Sequence, residues 1–186
     1  MKTQKNKSSN APLYLLCSII MLALLSLLYS CEKKEPAVKL APGELVKKIA
    51  EQFPEYNRGA DYESGNKSKE LPESKATELY SDGKNNPADM SKIEKYVILV
   101  MQPGENPAEE TGIFKLYDKV NADYVKQMAQ ARILKMQDYG NLISDTGIAA
   151  ILNDAEIRSY GEYVYYVSHP QKDKIFEIIE KSLRGE

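Results

Sequence analysis

Cys31 carries the clearest chemistry in this chain. It follows Leu28-Tyr29-Ser30 at the end of an apolar run from Leu13 to Leu28, and that run is preceded by Lys2, Lys5 and Lys7 with no acidic residue among them. A basic start, an apolar stretch, a small residue and then cysteine form the pattern that export machinery reads when it cleaves a precursor and acylates the new N-terminal residue. As a helix the run would reach about 24 Å, short of a hydrocarbon core of about 30 Å, which suits a removed signal better than a permanent span. An uncleaved anchor, and an ordinary signal in which Cys31 is incidental, are the alternatives the residues leave open. Tyr29 departs from the small or aliphatic residue usual two places before such a cysteine. Cys17, midway along the run, reads as a small hydrophobe within the signal.

Other reactive residue types are sparse. Nucleophilic catalysis by serine or cysteine wants an adjacent base, and His169 is the single histidine of the 186 residues. It stands between Ser168 and Pro170, where an exposed capping role at a helix start is expected. With one imidazole and a thiol committed to the anchor, no metal site and no cofactor is expected. Paired carboxylates could hydrolyse a glycoside. Glu105, Glu109 and Glu110 cluster in one stretch and Asp138, Asp145 and Asp154 flank another, and both groups read as solvated surface charge. The formal net charge of −2 becomes more negative once the three signal lysines leave, which argues against nucleic acid as a partner. Tethering to the membrane then falls to acyl chains rather than to a basic patch.

The elements that must position these groups follow from hydrophobic spacing. Residues 1–30 form the signal and 31–43 a charged, proline-bearing tether. Residues 44–91 read as a helical and loop-rich extension, and 92–186 as an α+β core domain. Leu45, Ile49 and Phe53 recur at four-residue steps, predicting a short helix ended by Pro54, and 56–75 reads as a long surface loop or a disordered stretch. Continuous apolar and β-branched residues from Tyr96 to Met101 predict a strand covered on both faces or nearly so, and Gly112 to Tyr117 a second one. A long helix follows over 119–139, with Val120, Tyr124, Met128, Ala131 and Leu134 as its stripe and Val125, Ala129, Ile133 and Met136 widening it. A short helical turn over 148–152 precedes strands at 156–160 and 162–168, which flank Gly161, and Ser168-His169-Pro170-Gln171 has the form of a capping box before a last helix. This ββαββα order predicts a two-layer α+β sandwich, a mainly antiparallel four-stranded sheet with helices packed on one face.

Tyrosine is over-used, with 13 copies against three phenylalanines and no tryptophan. Such residues suit half-buried strands. If exposed, Tyr160, Tyr163 and Tyr165 would offer a face for stacking on sugars or a peptide.

The segments Glu109 to Asp118, Ala131-Arg132 on the long helix, and Ser159 to Ser168 before a final helix resemble the bacterial lipoproteins of domain of unknown function family 4358. The resemblance spans 78–183. It implies a small envelope lipoprotein with this order of strands and helices and transfers no active-site residue. The longer 56–75 loop departs from that pattern. The expectation is a lipid-anchored protein on the extracytoplasmic side of the cell membrane, most simply a non-enzymatic module that meets an envelope protein or cell-wall partner. A solute-binding lipoprotein and a carboxylate-dependent hydrolase are the alternatives.

Overall fold

The computed structural model describes residues 40–83, 88–102 and 108–186. The signal and Cys31, most of the tether, residues 84–87, and residues 103–107 with Glu105 lie outside the described residues. Residues 36–186 form one compact unit. Its sheet has five strands: β1 (Tyr62–Glu63), β2 (Ile93–Leu99), β3 (Glu110–Leu116), β4 (Glu156–Tyr160) and β5 (Tyr163–Ser168). They lie in the order β1-β2-β3-β5-β4, every neighbouring pair antiparallel. Five helices accompany them among the described residues: α1 (Pro42–Ala50), α2 (Glu73–Tyr80), α3 (Ala122–Leu142), α4 (Thr146–Asn153) and α5 (Lys172–Arg184).

The expected single helical layer is corrected to two, with the sheet between them. Alternation along β2, β3 and β5 sends Ile98, Phe114, Leu116, Val164 and Tyr166 to one face, where α2, α3 and Leu152 of α4 cover them. Val97, Leu99, Ile113, Tyr165 and Val167 go to the other face, beneath α1, Phe53, Tyr56 and α5. All six residues of β5 are buried, as a strand covered from both sides requires. The four-stranded expectation is corrected by the segment before residue 92, which supplies β1 and a helix to each layer. The short helical turn expected over 148–152 lies within α4, a full helix that extends the ββαββα order between α3 and the second hairpin.

Local sequence explains these elements. In α1, Leu45, Val46 and Ile49 share the buried face, Pro42 starts the first turn, and Glu44 Oε2 accepts from the Ala41 amide at 2.7 Å. In α5, Ile175, Phe176, Ile179 and Leu183 do the same, and Gly185 closes the helix at φ 77°. The stretch expected to be a loop is ordered. Tyr56, in a short 3-10 turn (Pro54–Arg58), and Leu71 are both buried, and Ser64 exchanges hydrogen bonds with the Tyr96 backbone. Lys135 of α3 donates to the Glu78 and Ser81 carbonyls at 2.6 Å each, satisfying the end of α2.

Two helical expectations shift. The buried residues of α3 are Val125, Met128, Ala129, Ala131, Arg132, Ile133, Met136 and Gly140, while Leu134, and Val120 in the turn before the helix, point outward, 52% and 78% exposed. The last helix begins at Lys172 rather than within a capping box, because the Ser168 hydroxyl donates to the Ala108 carbonyl at 2.6 Å instead of capping.

Candidate functional site

The polar groups converge where β3 begins and β5 ends. Glu110 pairs in register with Ser168, and Thr111 with Val167. Strand alternation turns Glu110 into one layer and Glu109 with Thr111 into the other, so two separate polar clusters share three consecutive residues.

In the first cluster the Glu110 carboxylate is fully buried and fully bonded. It accepts from Arg132 Nε at 2.7 Å and Arg132 Nη2 at 2.5 Å, a bidentate pair reaching in from α3. The Tyr166 hydroxyl donates to Oε1 at 2.8 Å and the Met101 amide to Oε2 at 3.1 Å. Since Tyr166 spends its proton on the carboxylate, Tyr80 must donate across the 2.9 Å contact between the two hydroxyls. Burial, and then the Glu110 charge, push both phenols well above their ordinary value. The reading of Glu110 as solvated charge is therefore corrected: the residue is 1% exposed and neutralised from within.

In the second cluster His169 is buried, its side chain 3% exposed, which corrects the exposed cap expected of it. Its Nδ1 accepts from the Gln171 amide at 2.9 Å, so a capping contact survives, made by a core residue. Phe53 meets the ring edge-on at 5.3 Å. Nε2 lies 3.0 Å from Glu55 Oε1 and 3.8 Å from Glu109 Oε1. By type and distance these three residues could ligate a divalent ion. The hydrogen bonding decides otherwise. Because Nδ1 is the acceptor, Nε2 carries the hydrogen and donates it to Glu55, leaving no lone pair for a metal. The trio is a clamp that ties the 3-10 turn and the head of β3 to the junction of β5 and α5.

Beside the clamp, Tyr56 and Thr111 share a 2.7 Å hydroxyl contact, and Arg58 is drawn away to Asp61 Oδ2 at 3.0 Å and the Val100 carbonyl at 2.8 Å. The cleft among Glu55, Tyr56, Arg58, Leu99, Glu109 and Thr111 has a volume of about 10 Å³. That admits one water, and no sugar ring fits between the two carboxylates. Burial, and then the neighbouring Glu55 charge, raise Glu109 above its ordinary value, against the lowering influence of the Arg58 charge. A carboxyl raised in the folded state favours folding below its unfolded value of 4.5, and that contribution is lost as pH rises through the folded value. Glu109→Gln should therefore raise stability at pH 7 by a few tenths of a kcal/mol. In urea titrations the gain should fade as pH falls below about 4, and an equal gain at pH 3 would refute the assignment.

The tyrosine face is not accessible. Tyr163 and Tyr165 are 2% and 0% exposed beneath α1 and α5, and Tyr160 is half-buried. The Tyr163 hydroxyl donates to the Leu40 carbonyl, and Tyr165 packs against Phe176 at 5.9 Å. With helices on both faces, no residue of β5 can point to solvent. Sequence reasoning passed over Arg132, although it stands four residues after Met128 and four before Met136, inside the buried stripe.

No family model matches the chain, and no curated protein or solved structure matches it either. Among the described residues no helix is long and apolar enough to cross a membrane.

Proposed function

We propose that the chain is a bacterial lipoprotein, acylated at Cys31 and held at the extracytoplasmic face of the cell membrane, where it acts by contact as an interaction module of the envelope. One observation carries the reading. The two cysteines of the sequence are Cys17 and Cys31, both ahead of the folded unit, so the unit is built without sulfur cross-links and Cys31 is left to the export pattern around it. Family membership among the lipoproteins of domain of unknown function 4358 belongs to the same proposal, supported by the residues quoted for the resemblance. Two acyl chains, at about 0.8 kcal/mol per buried CH₂, would hold the protein firmly where one would not.

Cys31→Ala is expected to move the protein from the detergent phase to the aqueous phase in detergent partitioning. The mass of the native form should show residue 31 first and acylated. A native mass that retains Met1 would overturn the anchor. The contact role is tested by crosslinking the anchored protein in intact cells, with the Cys31→Ala form as control. A solute-binding role remains as the second reading, because a groove of about 360 Å³ between α3 and β4 reaches the lower end of small-molecule pocket sizes.

A further inference from the structure

We propose that the end of the sandwich where the chain enters the fold rests on the bilayer, with Tyr117 and Val120 dipping into the lipid interface. The proposal rests on the anchor at Cys31 above and names the face that the anchor presents to lipid. Leu40, the ninth residue after Cys31, is fixed at this end by the Tyr163 hydroxyl, which donates to its carbonyl. Tyr163 pairs with Tyr160 across the turn between β4 and β5, and with Lys115 near the close of β3. Just beyond, the Leu116 amide donates to the Glu162 carbonyl at 2.8 Å and the Tyr117 amide to the Lys92 carbonyl at 3.3 Å. The chain then turns through Asp118, whose Oδ1 accepts from the Val120 amide at 3.0 Å, and enters α3. Leu40 and this turn thus share one end of the sheet, while Glu110, Ser168 and the clamp hold the other.

Tyr117 and Val120 are 66% and 78% exposed. Apolar side chains scattered over a surface need no partner, so exposure alone selects no occupant. The length of chain between lipid and fold does. Nine residues reach at most about 32 Å at ~3.6 Å each, and less when the link is not fully extended. The rival apolar group, Leu134, Tyr139 and Leu142, lies on the later half of α3. That helix starts two residues after Val120 and rises about 30 Å at ~1.5 Å per residue. Bringing Leu142 to the bilayer would hold Leu40 near the limit of its reach, at a cost in chain entropy, whereas Tyr117 and Val120 meet lipid with the link relaxed. Two shallow insertions suffice, because the acyl anchor makes the contact intramolecular. Charge does not drive it. At this end the exposed Lys95 and Lys119 are outnumbered by the exposed Glu44, Asp118 and Glu162, so no net positive charge draws anionic lipid. The contact is apolar, with a tyrosine ring at headgroup level and the Lys119 ammonium reaching back to water.

The test places the acylated native protein in phosphatidylcholine vesicles that contain a lipid with a nitroxide on its headgroup. Cys17 leaves with the signal and Cys31 is spent on the anchor, so Val120→Cys, Leu142→Cys or Lys119→Cys takes a fluorophore at a single position. Quenching at 120 should exceed that at 142 severalfold. The probe at 119 should lose most of its quenching when Tyr117 and Val120 are both replaced by serine. Salt at about 0.5 M should leave both results unchanged, since screening acts on charge and not on apolar contact. Equal quenching at 120 and 142, stronger quenching at 142, loss of quenching in salt, or an undiminished signal in the double serine variant would overturn the proposal. Shielding at 120 without quenching, in step with protein density on the vesicles, would overturn it too by giving the site to a second copy of the chain. If the protein sediments with the vesicles and quenching at 120 is absent, the face is wrong and the anchor stands. If it stays in the supernatant, the anchor falls and this proposal with it.

Discussion

Replacing Arg132 with methionine should lower the unfolding free energy by about 3–5 kcal/mol, the usual cost of stranding one member of a buried ion pair. Methionine fills much of the same volume, so the loss is electrostatic rather than a cavity. The Glu110 carboxylate would keep the Tyr166 hydroxyl and the Met101 amide but lose both guanidinium bonds, inside a site where its side chain is 0% exposed. In the native protein, burial opposes the charge on Arg132, while the hydrogen bonds and charge of Glu110 outweigh that opposition and tighten its hold on the proton. The double variant Glu110→Gln with Arg132→Met removes both charges and should recover most of the loss, since a neutral amide tolerates this site far better than an orphaned anion. Urea unfolding with an unchanged m-value would report the difference. A single-variant loss below about 1 kcal/mol would show that water reaches Glu110 and that the pair is not a core element.

The same residue shows why part of the architecture could be read from the sequence and part could not. The places of β2 to β5 were legible because β-branched and aromatic runs bounded by Gly104, Gly161 and Pro170 have few alternatives, whereas the two-residue β1 carries no such run. Helix α5 was legible because Ile175, Ile179 and Leu183 keep strict spacing without a polar interruption. On α3 the buried stripe contains Arg132, so an apolar count rotates the face toward Leu134 and Val120, which the fold leaves outside. Arginine at a core position has no local signature. Its partner, Glu110, lies 22 residues away, and only the pairing of β3 with β5 and the docking of α3 bring the two together.

The clamp escaped the sequence for a related reason. Glu55, Glu109 and His169 come from three elements up to 114 residues apart. Nothing in the residues around Glu55 distinguishes it from a solvated glutamate. The error over the tyrosines was one of layers: helices were expected over one face only, whereas α1 and α5 together cover the face that Tyr163 and Tyr165 share. Once both faces are covered, a strand's period of two says which core each side chain enters and nothing about exposure.

Gly112 shows how tightly that double burial is organised, and Gly112→Ala should cost about 3 kcal/mol. Its backbone φ is not in the left-handed region, so conformational freedom is not what the glycine supplies. Space is. A Cβ there would lie 2.2 Å from Cε1 and 2.7 Å from Cζ of Tyr166, its partner in register on β5. The ring crosses the glycine to place its hydroxyl against Glu110, two residues along the same face, and Tyr80. Phe114 stacks on it at 6.2 Å and Tyr80 meets it edge-on at 6.3 Å, so a displaced ring has no room to settle. Overpacking of a dense core costs about 1–3 kcal/mol, and losing a hydrogen bond to a charged group adds about 1.5–3 kcal/mol where the displacement is complete. In a Tyr166→Leu background the ring is gone and the same alanine should be neutral, or stabilising by about 0.5–1 kcal/mol through the restricted unfolded chain. The coupling in that double-mutant cycle separates a steric requirement set by Tyr166 from a general intolerance of β3. Equal losses in both backgrounds would mean that something other than the tyrosine ring demands glycine at this position.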